Sequence, residues 1–452
     1  MDTNRILRLH GFNDHPNFTE IAKWTARFVS QNPNTTEEDL LVQVRLQFGR
    51  VLEKLTLHAT ASPFNVYGEV GTDIDHDAVE QMYTAMRLPV AVQGAMMPDA
   101  HRGYALPIGG VVALQDAISP SFVGYDIACR MSLTILDISP EDFMSNRVAL
   151  ADALLHSTEF GKGANTDGEC DHDVMYDERW ETIDACARLK PLAQNQLGSS
   201  GGGNHFADLV VGKVIVSDDG WLTGVPDKFV ALMTHSGSRG TGHKLATHYC
   251  KLAEAETRAT TRGVPRDYAW LSMSHDAGRE YFAAMNLMGE YAKANHDIIH
   301  RRFMSRAEIF QLAHFENHHN FAWKRPGFDQ YIHRKGATPA GFGVPAIIPG
   351  TSGSTSYLCV GLGNEGSLLS ASHGAGRPFS RTEAKRRHNS VFVEQWYEEH
   401  DVMTFGLAPD ETVLAYKDID HVMELQSELV RPVATMQPKV VVMGGGKADD
   451  GD

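Results

Sequence analysis

Ser370-Ala371-Ser372-His373-Gly374-Ala375-Gly376-Arg377 sets a histidine among small residues, with two glycines and an arginine behind it. Glycine lets a backbone approach a ligand closely and adopt positive φ. Successive free N–H groups in such turns bind anions, and an arginine fork matches phosphate oxygens. A histidine at the rim of such a nest is placed to act as nucleophile or proton carrier toward a phosphate. Taken alone, the octapeptide reads more simply as a tight turn with an incidental surface histidine. Upstream, however, residues 97–104, 124–130, 197–206 and 235–243 repeat the pairing of glycine with histidine, cysteine or acid. Loops so far apart in sequence have to converge to make one site. The fold expected is therefore α+β: a single large domain over 61–452, with mixed β-sheets flanked by helices and a site in a central cleft.

Composition narrows the function classes. The chain has 452 residues, 42% hydrophobic and 22% charged, enough to bury a large core. No run of 18 apolar residues is present, so no membrane-spanning helix is expected. The first residues lack the apolar segment of a secretory signal. The five cysteines are odd in number and scattered, which argues against a disulfide framework and for a reducing, cytoplasmic setting. A net charge of −16 excludes a general basic coat for nucleic acid, so a polyanion has to be met by a local basic patch or by bound metal.

Along the chain, residues 1–60 read as an N-terminal helical extension. Thr35-Thr36-Glu37-Glu38 forms a capping box, and Leu40, Leu41, Val44, Phe48, Val51, Leu52 and Leu55 follow at helical spacing. A helix over 75–86 leads to a short strand at 90–92 and then a loop at 97–104. A strand from 228 to 234 delivers His235 to a segment that opens a helix; His243 and His248 are expected on that helix's surface. A long helix is expected at about 273–304. Residues 161–173 read as a polar surface loop with Cys170 and His172 facing solvent.

Asp126 and Cys129, spaced D-x-x-C, can offer a carboxylate and a thiolate from one turn. His205, His235 and His319 each stand beside glycine or asparagine at the end of an apolar segment. Any one of these is ordinarily a hydrogen-bonded core residue. Together they form a metal-ligand set, with His318 expected to point the other way. Ligand softness alone favours zinc. Five ligands exceed one tetrahedral site, so two ions bridged by Cys129 is the economical arrangement.

From residue 97 nearly to the end, the sequence resembles the RtcB family of tRNA-splicing RNA ligases. The matching blocks are ordered and specific: MPDAHRGYALPIGG, VGYDIACR, GGGNHF, THSGSRGTGH, HHN, RKGAT, IIPGTSG, GLGNE, SHGAGR, SRTEAK and AYKDID. The resemblance implies joining of an RNA 3′-phosphate or 2′,3′-cyclic phosphate to a 5′-hydroxyl, with GTP and two Mn²⁺ ions. It implies a guanylylated His373, standing apart from the ligand set, and metal ligation by Asp126, Cys129, His205, His235 and His319. It further implies nucleotide contacts at Asn204, Asp208, Thr351, Ser356, Ala375, Gly376 and Tyr416, with Asp99 as a supporting acid near the metals. Several positions depart from the family pattern. Arg130 replaces a glycine and sets a cation beside the ligand cysteine, to hinder a second ion or to grip phosphate. Asp208 replaces a glutamate, and Thr351-Ser352 stand in PGSMG. Met443-Gly444-Gly445-Gly446 stands where the family ends Lys-Gly, with Lys447 three residues late. These departures leave two alternatives: a divergent member acting as a metal-dependent phosphohydrolase or nuclease, and a non-catalytic RNA-binding protein. The cluster Arg381, Lys385, Arg386 and Arg387, and the pair Lys324-Arg325, read either as footing for an RNA backbone or as solvated faces.

Overall fold

Side-chain alternation along the strand Arg130–Leu136 organises the molecule. Met131, Leu133 and Ile135 enter an apolar core with Phe229, Ala231, Met233 and Ile347. The opposite side of the strand carries Ser132, Thr134 and Leu136, and Leu136 packs in a second core with Phe143, Leu154 and Phe303, since successive side chains of a strand point to opposite faces. In this computed structural model the strand lies in an eight-stranded sheet. Its order is Gln311–His318, Arg130–Leu136, Lys228–Ser236, Phe206–Val214, Val430–Met443, Ser356–Gly361, Pro345–Ile348, with Met403–Phe405 alongside Val430–Met443. The sheet is antiparallel apart from that last pairing. The side chain of Asn317 stitches its two edges: Asn317 Oδ1 accepts the Ile347 N–H at 2.8 Å and Nδ2 donates to Ile347 O at 3.4 Å. The sheet thus closes nearly into a barrel, and its cores form on either side of the wall.

A second sheet of five strands runs Asn320–Lys324, Gln330–Lys335, Ile108–Gln115, Ala91–His101, Phe64–Val66. The helix His76–Met86 buries Ala78, Met82, Ala85 and Met86 against it. The helices Pro140–Leu155 and Asp276–Ala307 supply Phe143, Leu154 and Phe303 to the outer face of the large sheet. A two-stranded ribbon, Ala337–Pro339 with Ser370–Ser372, brings the chain to His373. The result is the mixed α+β architecture expected.

The structure describes residues 1–12, 17–49, 54–161, 170–216, 220–378, 383, 386 and 390–445. They form two compact units, 1–56 with 258–263, and 57–257 with 264–452. In the first, helices Thr3–Leu9, Phe18–Gln31 and Glu37–Phe48 bury Leu7, Phe12, Ile21, Leu40 and Val44 together. The capping box sits one residue later than expected. Thr36 accepts the Asp39 N–H at 3.2 Å and Asp39 accepts the Thr36 N–H at 3.4 Å, so an aspartate closes it rather than Glu38. Leu55 belongs to the strand Leu55–Thr56, not to the helical stripe; Val51 and Leu52 lie outside the described residues.

Three further expectations change. The loop foreseen at 97–104 is strand as far as His101, because Ala91–His101 pairs with Ile108–Gln115 across an irregularity between Met96 and His101. Cys170 is buried, with the Arg302 guanidinium donating to its sulfur, and half-buried His172 accepts the Val174 N–H at 3.2 Å. His243 and His248 are half-buried on the helix Arg239–Thr260 rather than surface residues. Among the described residues no helix is long and apolar enough to cross a membrane.

Candidate active site

Cys129 ends a turn in which Ala128 takes a left-handed conformation, φ 59°, and the strand Arg130–Leu136 starts at the next residue. Such backbone is costly outside glycine and concentrates at functional sites. His235 lies directly across from Met131 in the sheet register, on the face that holds Met233. His319 follows the neighbouring strand and donates its backbone N–H to Cys129 O at 2.9 Å. Chain segments of widely different position therefore meet at one point. Cys129 Sγ lies 3.3 Å from His205 Nε2 and 3.1 Å from His235 Nε2, and the ligand-capable atoms of all three fall within 4.8 Å of one another. His235 Nε2 is 3.2 Å from His319 Nε2, and His205 Nε2 is 3.1 Å from Asp126 Oδ2. The five residues expected as ligands are thus brought together.

Glycine makes room for this convergence. A Cβ on Gly201 would collide with the His205 ring, and one on Gly237 with the Asp126 carboxylate. His235 Nδ1 donates to Asn204 O at 3.2 Å, which leaves its Nε2 with the lone pair. Burial pushes the His235 pKa down to about 3 and that of His319 well below the usual histidine range, the neighbouring imidazoles adding to the effect. Burial opposes ionisation of Asp126, yet the hydrogen bond and charge of His205 hold its carboxyl below the ordinary value. Imidazoles, a thiol and a carboxylate converging on one point form a donor set that fits divalent cations.

His373 abuts this cluster, its ring centroid 4.9 Å from that of His319. It is not remote from the ligand set as expected. Asp99, fully buried, accepts from His373 Nδ1 at 2.7 Å and from the His373 backbone N–H at 3.2 Å. The acid foreseen near the metals thus orients the histidine, and in the neutral imidazole this leaves Nε2 as the lone-pair nitrogen. Gly376, at φ 74°, lies so near that a Cβ would strike Asp99 O.

The cluster opens into a cleft of about 990 Å³ whose wall includes Asp126, Cys129, His235, His319 and His373. Asn204, Asp208, Thr351, Ser356, Ala375, Gly376 and Tyr416 line the same cleft, while His205 and Asp99 stand behind its wall. The 349–356 loop is held by its own hydroxyls: Thr351 Oγ1 accepts the Ser354 N–H at 3.1 Å, and Ser356 Oγ accepts the Gly350 N–H at 3.0 Å. Burial raises Asp208 well above the usual carboxyl pKa, against one backbone hydrogen bond from Val442. Among the described residues its Oδ1 has no hydrogen-bond partner.

Arg377 and Arg130 behave differently from expectation, and the other basic residues foreseen as footing form ion pairs. Arg377 lines the cleft, but its fork is engaged by protein groups: it donates to Glu411 at 3.2 Å, to the Tyr416 hydroxyl at 3.3 Å and to Asp410 O at 2.8 Å. Arg130 shares the strand face of Ser132 and Thr134, away from His235, and is buried against Glu316 at 3.0 Å. Strand alternation thereby turns its guanidinium away from the cleft, and Glu316 offsets its charge. Arg325 pairs with Glu365 at 3.0 Å and Lys324 with Asp329 at 3.6 Å. Exposed Arg386 pairs with Glu383 at 3.8 Å; Arg381, Lys385, Arg387, Gly446 and Lys447 lie outside the described residues. His318 turns from the cluster, as expected, and stacks on Trp323 at 5.0 Å.

Two residues of the site carried no distinguishing signal. Buried Glu411 accepts the Tyr416 hydroxyl, from a segment with no motif around it. Lys417 donates to Pro98 O at 3.2 Å and Ala100 O at 2.9 Å, fixing the backbone on both sides of Asp99. Its place inside AYKDID was the only available hint.

The family model described as tRNA-splicing ligase RtcB matches residues 81–444. The RNA-splicing ligase RtcB of Escherichia coli K12 is 31% identical over 406 residues, covering 83% of this chain and 96% of its own. The tRNA-splicing ligase RtcB of Methanococcus maripaludis is 29% identical, covering 84% and 95%. The RNA-splicing ligase RtcB of Mycobacterium tuberculosis is 30% identical, covering 80% and 100%. A match that spans the sheets, the Cys–His cluster and the His373 loop alike leaves one assignment: the chain belongs to the RtcB family of RNA-splicing ligases.

Proposed function

We propose that residues 61–452 act as a GTP-dependent catalytic domain, joining RNA 3′-phosphate or 2′,3′-cyclic phosphate ends to 5′-hydroxyl ends through a covalent histidine–GMP. The observation that carries this reading is His373 anchored through Nδ1 on buried Asp99, with Nε2 left as the lone-pair nitrogen beside the Cys–His cluster. Asp126, Cys129, His205, His235 and His319 would hold two Mn²⁺ ions, which supply charge neutralisation at phosphate oxygens. Asn204, Asp208, Thr351, Ser356, Ala375, Gly376 and Tyr416 would contact the nucleotide. Arg377 and Glu411 position the Tyr416 ring, over which the guanidinium lies at 4.9 Å.

His373 Nε2 forms a bond to the α-phosphorus of GTP while the bond to pyrophosphate breaks. The positive charge that develops on the imidazole is balanced by Asp99 through the Nδ1–H bond. An oxygen of the RNA 3′-phosphate then takes the GMP, the N–P bond breaks, and His373 returns to its neutral form. The 5′-hydroxyl oxygen attacks the activated 3′-phosphorus, its proton is lost to solvent base, and GMP leaves. A cyclic phosphate end first consumes a water, which opens the ring to the 3′-phosphate.

The test is incubation with Mn²⁺ and GTP labelled at the α-phosphate, followed by denaturing electrophoresis. Label is expected on the wild-type chain and absent from His373→Ala. Turnover of RNA phosphates with no label on the wild-type chain would favour the phosphohydrolase reading. RNA binding with neither label nor turnover would favour a non-catalytic one.

A further inference from the structure

At the mouth of the cleft the loop after His101 exposes an aromatic ring on a backbone held rigid. Gln81 clamps the loop from both sides, its Oε1 accepting the Gly103 N–H at 2.9 Å and its Nε2 donating to Gly103 O at 2.7 Å and Tyr104 O at 3.3 Å. The turn is tight enough that a Cβ on Gly103 would lie 2.5 Å from Leu106 O. On this fixed base the Tyr104 ring is 66% exposed. Tyr125, the neighbour of Asp126, meets it edge-on with centroids 6.4 Å apart, and His243 braces Tyr125 at 5.2 Å. The Lys335 ammonium lies 5.7 Å from the Tyr104 centroid. Tyr104, Tyr125 and Lys335 all line the cleft that holds His373.

A large aromatic ring left in water costs hydrophobic free energy, and a clamped loop cannot fold it away. Unpaired nucleobases recover that energy, because every base offers a π-face to an aromatic side chain and a nearby cation adds to the attraction. On a chain of net charge −16, stacking beside a single cation also holds RNA with little general basic surface. We infer that Tyr104, walled by Tyr125, is a stacking platform for an unpaired base next to the RNA end, and that it positions that end toward His373. The inference rests on the RNA-ligase reading above and adds to it a positioning residue.

The test uses the full chain with Mn²⁺ and a single-stranded RNA ending in a 3′-phosphate, with 2-aminopurine near that end. Because base–aromatic stacking adds to affinity, Tyr104→Ala is expected to weaken binding about tenfold and to abolish the quenching of 2-aminopurine expected with the wild type. Tyr104→Phe and Tyr104→Trp should keep both affinity and quenching. Unchanged affinity and quenching in Tyr104→Ala would overturn the platform alone, as would a loss in Tyr104→Phe equal to that in Tyr104→Ala, which would assign the role to the hydroxyl. Failure of the wild type to bind the oligonucleotide would overturn the RNA reading and the platform with it.

Discussion

Two groups of histidines occupy opposite faces of the strands Arg130–Leu136 and Lys228–Ser236. On the helix-covered face His296, His300 and His314 are joined through Thr234 and Thr134 into one hydrogen-bonded chain. Ser236 O can only accept, so His296 Nε2 donates to it at 3.2 Å, and His296 Nδ1 accepts the Thr234 hydroxyl at 2.6 Å. Thr234 Oγ1 then accepts from His300 Nε2 at 2.7 Å, Thr134 donates to His300 Nδ1 at 2.7 Å, and His314 Nδ1 donates to Thr134 at 3.0 Å. Every tautomer follows from that first carbonyl. On the cleft face His205, His235 and His319 point nitrogens at one another and at Cys129 instead. A histidine cluster whose members find hydroxyls and carbonyls is a piece of core. One whose lone pairs converge is built for a cation.

The largest expected effect separates the two faces directly. Cys129→Ser should lose bound manganese and more than about 100-fold of the covalent labelling, because a hydroxyl stays protonated where a thiolate ligates. Full metal occupancy by elemental analysis would break the distinction. On the other face, His300→Ala strips partners from two buried threonines and should lower the unfolding free energy by about 2–4 kcal/mol. Its metal stoichiometry should match the wild type; a loss of metal would join the two clusters functionally. Arg130→Gly sharpens the contrast further. It removes a buried partner of Glu316, which also keeps Lys293 at 3.1 Å, so a stability loss of about 1–3 kcal/mol is expected. Manganese affinity should stay within about twofold, and tighter metal binding would place the arginine's field back in the site.

The last contrast is in pH dependence. Burial lowers the pKa of His300 to about 3 and that of His333 to about 4. Both are neutral in the fold, whereas the unfolded chain takes up protons near pH 6.5. The unfolded state therefore binds more protons, so the contribution is fully present above about pH 6.5. It falls as the pH drops toward 4, by up to about 1.4 kcal/mol per pH unit for each histidine. Denaturant titrations of metal-free protein should show this slope, reduced by one proton in His333→Gln. An identical slope in that variant would remove His333 from the account.

The convergence on the cleft face was largely legible in the sequence, since its candidate ligands stand near glycines whose missing side chains make room, as at Gly201 and Gly237. The helix face was not. His296 and His300 have the i, i+4 spacing of a helical metal-binding pair, and their threonine partners come from strands that no local pattern ties to that helix. Arg130 misled by adjacency: the residue next to Cys129 in sequence starts a strand and faces the other way. Arg377 resembled a phosphate fork until Glu411, unmarked by any motif, was seen to hold it.

The distances along the chain between the site's members bear on when the site comes into being. Asp99 and His373 are 274 residues apart, Cys129 and His235 106, and His235 and His319 84. Closing such loops costs only about 0.6 kcal/mol more for each doubling of length, so the equilibrium penalty is modest. The consequence is temporal. Contacts of such high sequence separation form late and make folding slow, and a nascent chain lacks His319 and His373 until most of it has been synthesised. Loading with the proposed metal and nucleotide would thereby follow synthesis, and metal uptake by newly made chains would report closure of the sheet itself.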